Sequence, residues 1–265
     1  MVYLREVRQV VPRGREKEYP FKVAVEKVPA SLVFPTPVTF FVGENGSGKS
    51  TILEAIAAAV QLPTVGGASI RDDETLASAR ELARHLKLAW TRRTPRGFFM
   101  RAEDFFNFSR RMARLVKELE AEAAQYEEIF SGYGLHLAKG SILAQREALV
   151  EKYGENLDAN SHGEAVLHLL LERIVPGGLY LLDEPETPFS PNRQLALLSL
   201  IKEMAAEEDC QFVIATHSPI LLALPGATIY SFDHGAISSV TYEELEHVNL
   251  TRDFLNNPEA FLRHL

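Results

Sequence analysis

The chain has 265 residues, 46% hydrophobic and 24% charged, the make-up of an ordinary globular protein with one large domain or a domain plus a subdomain. Its net charge of -8 gives the chain as a whole no electrostatic reason to seek nucleic acid, so such contact would need a local basic patch. One cysteine excludes an internal disulfide framework and a Cys-rich zinc site, and no apolar run approaches the ~20 residues of a membrane span.

In chain order, residues 1–6 break their apolar stretch with charge at once, unlike a signal peptide, so a cytoplasmic location without membrane insertion is expected. Short β-like runs at 2–7, 21–25 and 32–34, with a charged loop at 13–18, predict an antiparallel layer. A strand at 37–42 leads into Gly43-Glu44-Asn45-Gly46-Ser47-Gly48-Lys49-Ser50-Thr51, and a helix follows at 52–60. This is G-x-x-x-x-G-K-[ST] in the strand-loop-helix context that it requires. Its glycines let N–H groups from Asn45 to Thr51 turn inward as a nest for phosphate oxygens, and the helix adds its positive end. Lys49 can reach the β- and γ-phosphates, and the Ser50 hydroxyl can ligate Mg²⁺. The loop predicts nucleoside triphosphate binding.

Helical spacing returns at 72–84, and 86–100 alternates around the turn at 94–97 like a hairpin. Helices are predicted at 109–130 and 141–153, so 70–160 reads as a mainly helical subdomain inserted into a single 1–265 domain, too short for an extended coiled-coil arm. A helix at 163–175 precedes a buried strand, 179–182, that ends in Asp183-Glu184. A helix at 191–207 precedes the strand 211–215, with Cys210 a half-buried thiol at its start, and that strand ends in Thr216-His217-Ser218. A short helix at 220–224 and a strand at 228–232 close the unit. Strands alternating with helices predict an α/β fold with a mostly parallel sheet and a site at its carboxyl edge.

The strand ends carry the chemistry. Asp183 is placed to accept from a magnesium-bound water or from Ser50, and Glu184 to orient or deprotonate an attacking water. His217 suits a donor to the γ-phosphate or that water. The other seven histidines have no comparable context. Ser161-His162-Gly163-Glu164 can be read as a capping box or as an anion site at a helix start, and chemistry alone leaves both open.

Taken in order and spacing, the phosphate loop, Ser161–Glu164, residues 179–184 and residues 215–217 resemble the ABC-type ATPase domain over nearly the whole chain. The resemblance implies ATP and Mg²⁺ as cofactors, hydrolysis by Glu184, and a homodimer formed on ATP, in which Ser161 and Gly163 reach the partner's nucleotide. Departures are visible. Asn160, His162 and Glu164 differ from the usual Leu-Ser-Gly-Gly-Gln signature, Ser190 stands where an aspartate is common, and Arg101 or Glu103 replaces the glutamine of transporter members. Gly97–Glu103 and Thr251–Pro258 are similar to stretches of small stand-alone bacterial ATPases distantly related to chromosome-maintenance and DNA-repair ATPases. A role in DNA maintenance, repair or defence is therefore expected, with a membrane transporter's ATP-binding subunit or a low-turnover binding module as alternatives. Between Trp90 and Lys117, eight basic residues face two acids, with six aromatics interleaved. That segment suits DNA, but the favoured reading is a solvated helix face over an aromatic core. A protein partner stays unidentified.

Overall fold

The computed structural model describes residues 1–10, 14–29, 31–65, 73–129, 132–153, 162–233 and 235–263. Strand β1 (Leu4–Gln9) is followed by helix α1 (Phe21–Lys27), β2 (Ser31–Val33), β3 (Val38–Val42) and α2 (Lys49–Val60). A 3₁₀ turn at Glu74–Leu76 leads into α3 (Ala77–Ala83), then β4 (Leu86–Trp90), β5 (Gly97–Met100), α4 (Ala102–Ile129) and α5 (Gly132–Tyr153). Next come α6 (His162–Arg173), β6 (Leu179–Asp183), α7 (Pro191–Ala206), β7 (Gln211–Ala215), α8 (Pro219–Leu222), β8 (Thr228–Ser231) and β9 (Ser238–Val240). A capped 3₁₀ turn at Tyr242–Glu244, α9 (Glu246–Asn256) and α10 (Pro258–Leu262) end the described chain.

The main sheet has the order β5-β6-β7-β3-β8-β9, parallel throughout except for β9 against β8. The central strands β3, β6 and β7 are buried along their full length, as continuous apolar runs require when both faces are covered. One face packs α4, α6, α7 and α8 through Phe40, Leu182, Phe212, Leu169, Leu197 and Leu221. The other packs α1, α2 and α3 through Phe41, Leu181, Val213, Ile52, Ile56 and Leu82. Gln211, fully buried at the start of β7, holds the smaller sheet in place: its side chain accepts from the amides of Tyr3 and Leu4 and donates to the Leu4 carbonyl.

The expected antiparallel layer forms, with order β2-β1-β4. Two local expectations are corrected. Residues 21–25 lie in a helix, because Phe21, Ala24 and Val28 share one buried face at helical spacing and this outweighs β-rich composition. Nor do residues 86–100 form a hairpin, since β4 pairs antiparallel with β1 whereas β5 pairs parallel with β6. The segment between them crosses from one sheet to the other, and Thr94 and Arg96 tie it to the Gly177 and Pro176 carbonyls. Helices α4 and α5 begin earlier than their spacing predicts, at Ala102 and Gly132. The first half of α4 joins the main core through Phe108 and Ala113, and its second half packs on α5 through Leu119, Ala123 and Ile142. Within 70–160, the purely helical part is therefore α4 and α5.

Candidate functional site

The phosphate loop lies between β3 and α2. Gly46 and Gly48 adopt φ of 81° and 100°, the left-handed region that glycine enters without a Cβ penalty. At Gly48 a side chain would also sit 2.5 Å from Val23 Cγ1, so the loop packs closely on α1. Lys49 is 4% exposed and donates to the carbonyls of Gly43 and Glu44 at 2.6 and 3.0 Å. Burial lowers its pKa, opposed by Glu184, Asp183, Asp233 and Glu186. The Ser47 hydroxyl is buried with no hydrogen-bond partner. An inward lysine, an unpartnered hydroxyl and two left-handed glycines fit phosphate oxygens as ligand. Asn45 is exposed at the rim, and Thr51 approaches the Tyr19 hydroxyl at 3.5 Å.

Across the sheet, Ser50 donates to Asp183 at 3.1 Å. Asp183 is 8% exposed, and burial raises its pKa to about 6, with Ser50 and Lys49 pulling downward. A hydroxyl and a carboxylate in contact are hard oxygen donors of the kind magnesium takes. Glu184 follows with φ of 48°, a strained value for a residue with a side chain, and its amide donates to the Ala215 carbonyl at 2.8 Å. That bond turns the chain so that Glu184 Oε1 stands 3.9 Å from His217 Nε2. A cavity of about 600 Å³ opens here, lined by Glu44, Asn45, Glu184, Glu186, Thr187 and His217. Burial and Lys49 lower the His217 pKa against the pull of Glu184.

Lys49, Ser50, Asp183, Glu184 and His217 thus gather at one edge, from the ends of β3, β6 and β7. Ser161 falls outside the described residues. Gly163 is buried in the first turn of α6, where a Cβ would lie 2.5 Å from the Pro188 carbonyl. Close backbone approach to the segment after β6 gives this glycine a packing role of its own. Ser190 is exposed at the start of α7, and its side chain makes no capping bond.

Three residues at this edge escape the sequence reading. Glu186 Oε1 accepts from the His217 amide at 2.7 Å, bracing the loop after β7, and its Oε2 is buried without a partner. Asp233, just past β8, accepts from the Glu44 amide at 2.6 Å. The charges of Asp233 and Lys49 both bear on the imidazole of His247 in α9. Only Glu186 had a local signal, the Glu-Pro-Glu run after β6; the other two arrive from distant chain.

Arg101 directly follows β5, beside the end of β6, and is 7% exposed. It contacts Asp73 at 2.7 Å, Glu103 at 2.6 Å, Asp104 at 3.4 Å and the Thr75 hydroxyl at 3.0 Å. One guanidinium therefore binds the turn before α3 to the first turn of α4. Behind the phosphate loop, Glu54 is pushed up to about 7 by burial and by Asp183, with Arg101 opposing. Of the basic-aromatic segment, Phe98, Phe99 and Phe108 are buried core residues, whereas Arg92, Arg93, Arg96, Arg110, Arg111 and Arg114 are exposed.

A phosphate loop ahead of α2, with a carboxylate at the end of β6 touching its serine, defines a P-loop nucleoside triphosphatase. Residues 28–74 match a family model described as "AAA domain", and residues 149–223 match one described as "AAA domain, putative AbiEii toxin, Type IV TA system". The lipoprotein-releasing system ATP-binding protein LolD of Ehrlichia chaffeensis is 25% identical over 241 residues, covering 87% of this chain and 92% of that protein. Its counterpart from Ehrlichia canis is also 25% identical, over 77% of this chain and 84% of that protein. Among solved structures, an ATP-binding cassette of an ABC transporter in its ADP conformation aligns with a TM-score of 0.47 and 16% identity, over 96% of both chains. A Pyrococcus furiosus Smc head domain with an extended coiled coil, bound to the C-terminal domain of ScpA, aligns with a TM-score of 0.41 and 13% identity, over 96% of this chain and all of that one. By these matches the chain is similar to P-loop ATPases of AAA and ABC type. Among the described residues, no helix is long and apolar enough to cross a membrane.

Proposed function

We propose that this ATPase binds Mg²⁺-ATP at the β3–α2 loop, pairs with a second copy of itself across the nucleotide, and separates after hydrolysis. The reading rests on one observation: Lys49, Asp183, Glu184 and His217 gather at the carboxyl edge of the sheet, where Glu184 and His217 line one cavity. On binding, Lys49 would exchange the Gly43 and Glu44 carbonyls for phosphate oxygens. Ser50 and Asp183 would hold magnesium, whose charge neutralises the phosphates. Glu184 orients and deprotonates the attacking water, and His217 donates toward the terminal phosphate. Asn45, Gly46, Ser47, Gly48 and Thr51 bind through the loop. Ser161 and Gly163 of one copy would meet the nucleotide of the other. The test is Glu184→Gln, which should slow hydrolysis at least ~100-fold while ATP binding persists, and light scattering should then record an ATP-bound dimer. A variant that stays monomeric in saturating ATP overturns the paired mechanism.

DNA maintenance, repair or defence is the setting we propose, with DNA contacting the exposed Arg110, Arg111 and Arg114 of α4. The buried Phe98, Phe99 and Phe108 would not stack on bases. ATPase stimulation by duplex or single-stranded DNA that fades steeply with salt would support this setting. Indifference to DNA would count against it. The likeness to LolD favours a second setting, as the ATP-binding subunit of a membrane transporter. Co-purification with a multi-spanning membrane protein would decide for it.

A further inference from the structure

Two stretches of chain carry the groups assigned to hydrolysis, and one side chain ties them together. Three successive amides leave the end of β7. Thr216 donates to the Phe41 carbonyl at 3.1 Å, and Ser218 donates to the Thr216 hydroxyl at 3.0 Å. His217, between them, donates to Glu186 Oε1 at 2.7 Å, a short bond of the kind carboxylates make. Its partner lies 31 positions earlier, on the loop after β6.

That loop is itself a tight turn. The Thr187 amide donates to the Glu184 carbonyl at 3.2 Å, and the Phe189 amide to the Glu186 carbonyl at 2.8 Å. Glu184 is anchored in turn through its amide to the Ala215 carbonyl at 2.8 Å. The Glu184 carboxylate and the His217 ring, 3.9 Å apart, are thus held by two links between the chain after β6 and the end of β7. The first link is backbone to backbone and is open to almost any residue. The second exists only because residue 186 carries an acceptor of this reach.

Glu186 lines the same 600 Å³ cavity as Glu184 and His217. Its Oε2 is sealed from solvent with no hydrogen-bond partner, as is Nε2 of His217. Buried polar atoms are nearly always paired, so a carboxyl with one oxygen unpaired is an unfavourable choice for packing alone. Burial also raises the Glu186 pKa, so an acceptor oxygen rather than a charge is what the His217 amide requires.

We propose that Glu186 is a positioning residue for ATP hydrolysis: by holding the His217 amide, it fixes the His217 ring relative to the Glu184 carboxylate. This rests on the roles given to Glu184 and His217 above.

Three variants separate reach from charge. Glu186→Ala removes the acceptor, and Glu186→Asp keeps the charge but is one methylene short. Both should lower kcat roughly ten- to hundred-fold with KM for ATP unchanged. Glu186→Gln keeps an acceptor oxygen at full reach and should recover most of that kcat. A readout independent of turnover is hydrogen exchange at the His217 amide without nucleotide. It should speed up at least ~10-fold in the Ala and Asp variants and stay near wild type in Glu186→Gln. Wild-type kcat with unaltered exchange in Glu186→Asp would overturn the proposal, and so would a Glu186→Gln variant as slow as Glu186→Ala. Should Glu186→Ala fail to fold, the Asp and Gln variants decide between them. Full activity in His217→Ala would instead overturn the role of His217, so the two failures are distinguishable.

Discussion

The main sheet bears a cavity at each end, and the two are nearly equal in size. At the carboxyl end, about 600 Å³ lies among Glu44, Glu184, Glu186 and His217. At the amino ends of β5, β6 and β7, about 500 Å³ lies between Arg92, Arg93 and Arg96 on one wall and Glu207, Glu208 and Asp209 on the other. Backbone strain does not separate them either, since Glu184 has φ of 48° at one end and Asp209 has 53° at the other. What separates them is where the charge sits. The carboxyl end buries Lys49, Asp183 and Arg101 to under a tenth of their exposed area and leaves buried Ser47 and His217 atoms unpartnered. At the amino end the charged groups are exposed, and Arg96 and Asp209 meet the Pro176 carbonyl and the chain's amino terminus. Charge held out of water is costly unless a ligand or partner compensates it, so burial of charge marks the working end better than volume or strain does.

The sharpest way to break this contrast is to remove a buried charge. Arg101→Ala would leave Asp73, Glu103 and Asp104 facing one another, and stability should fall by about 3–5 kcal/mol, read by denaturant unfolding. A loss below ~1 kcal/mol would mean that the cluster is hydrated and that the two ends differ less than their burial implies.

Asp183→Asn should have the opposite sign. Its folded pKa of about 6 lies above the ordinary 3.8, so its proton-linked stability is complete below about pH 4 and is lost as pH rises through about 6. Without nucleotide or divalent cation, the asparagine variant should therefore gain about 1–3 kcal/mol above pH 6 and match the wild type below pH 4. Thermal melts across pH 3.5 to 8 check this. The smallest effect belongs to the amino end. Arg92→Ala with Arg93→Ala should change stability by no more than about 0.5 kcal/mol and leave basal ATP turnover within about two-fold. A larger loss of turnover would show that this cavity communicates with the nucleotide.

The working end was largely legible in the chain. Gly43–Thr51 announces itself because glycine spacing, lysine and serine act within nine consecutive residues. Asp183, Glu184 and His217 could be placed at one edge because four-residue apolar runs predict buried parallel strands, and polar residues at their carboxyl ends face that edge. Arg101 stood out only as a replacement for an expected glutamine; one of its three acidic partners, Asp73, lies before the 3₁₀ turn, α3, β4 and β5. His247 had no signal, since nothing near it in the chain distinguishes it from an ordinary surface-helix residue.

Local pattern therefore determined the phosphate loop, the buried strands and the chemistry at their ends. It did not determine that β4 and β5 part into separate sheets, that residues 21–25 coil into α1, or that α9 returns to Lys49. Tertiary structure decided these, because strand partners and helix docking depend on which faces exclude water together across the chain. A residue's own neighbours in sequence carry no information about those distant surfaces.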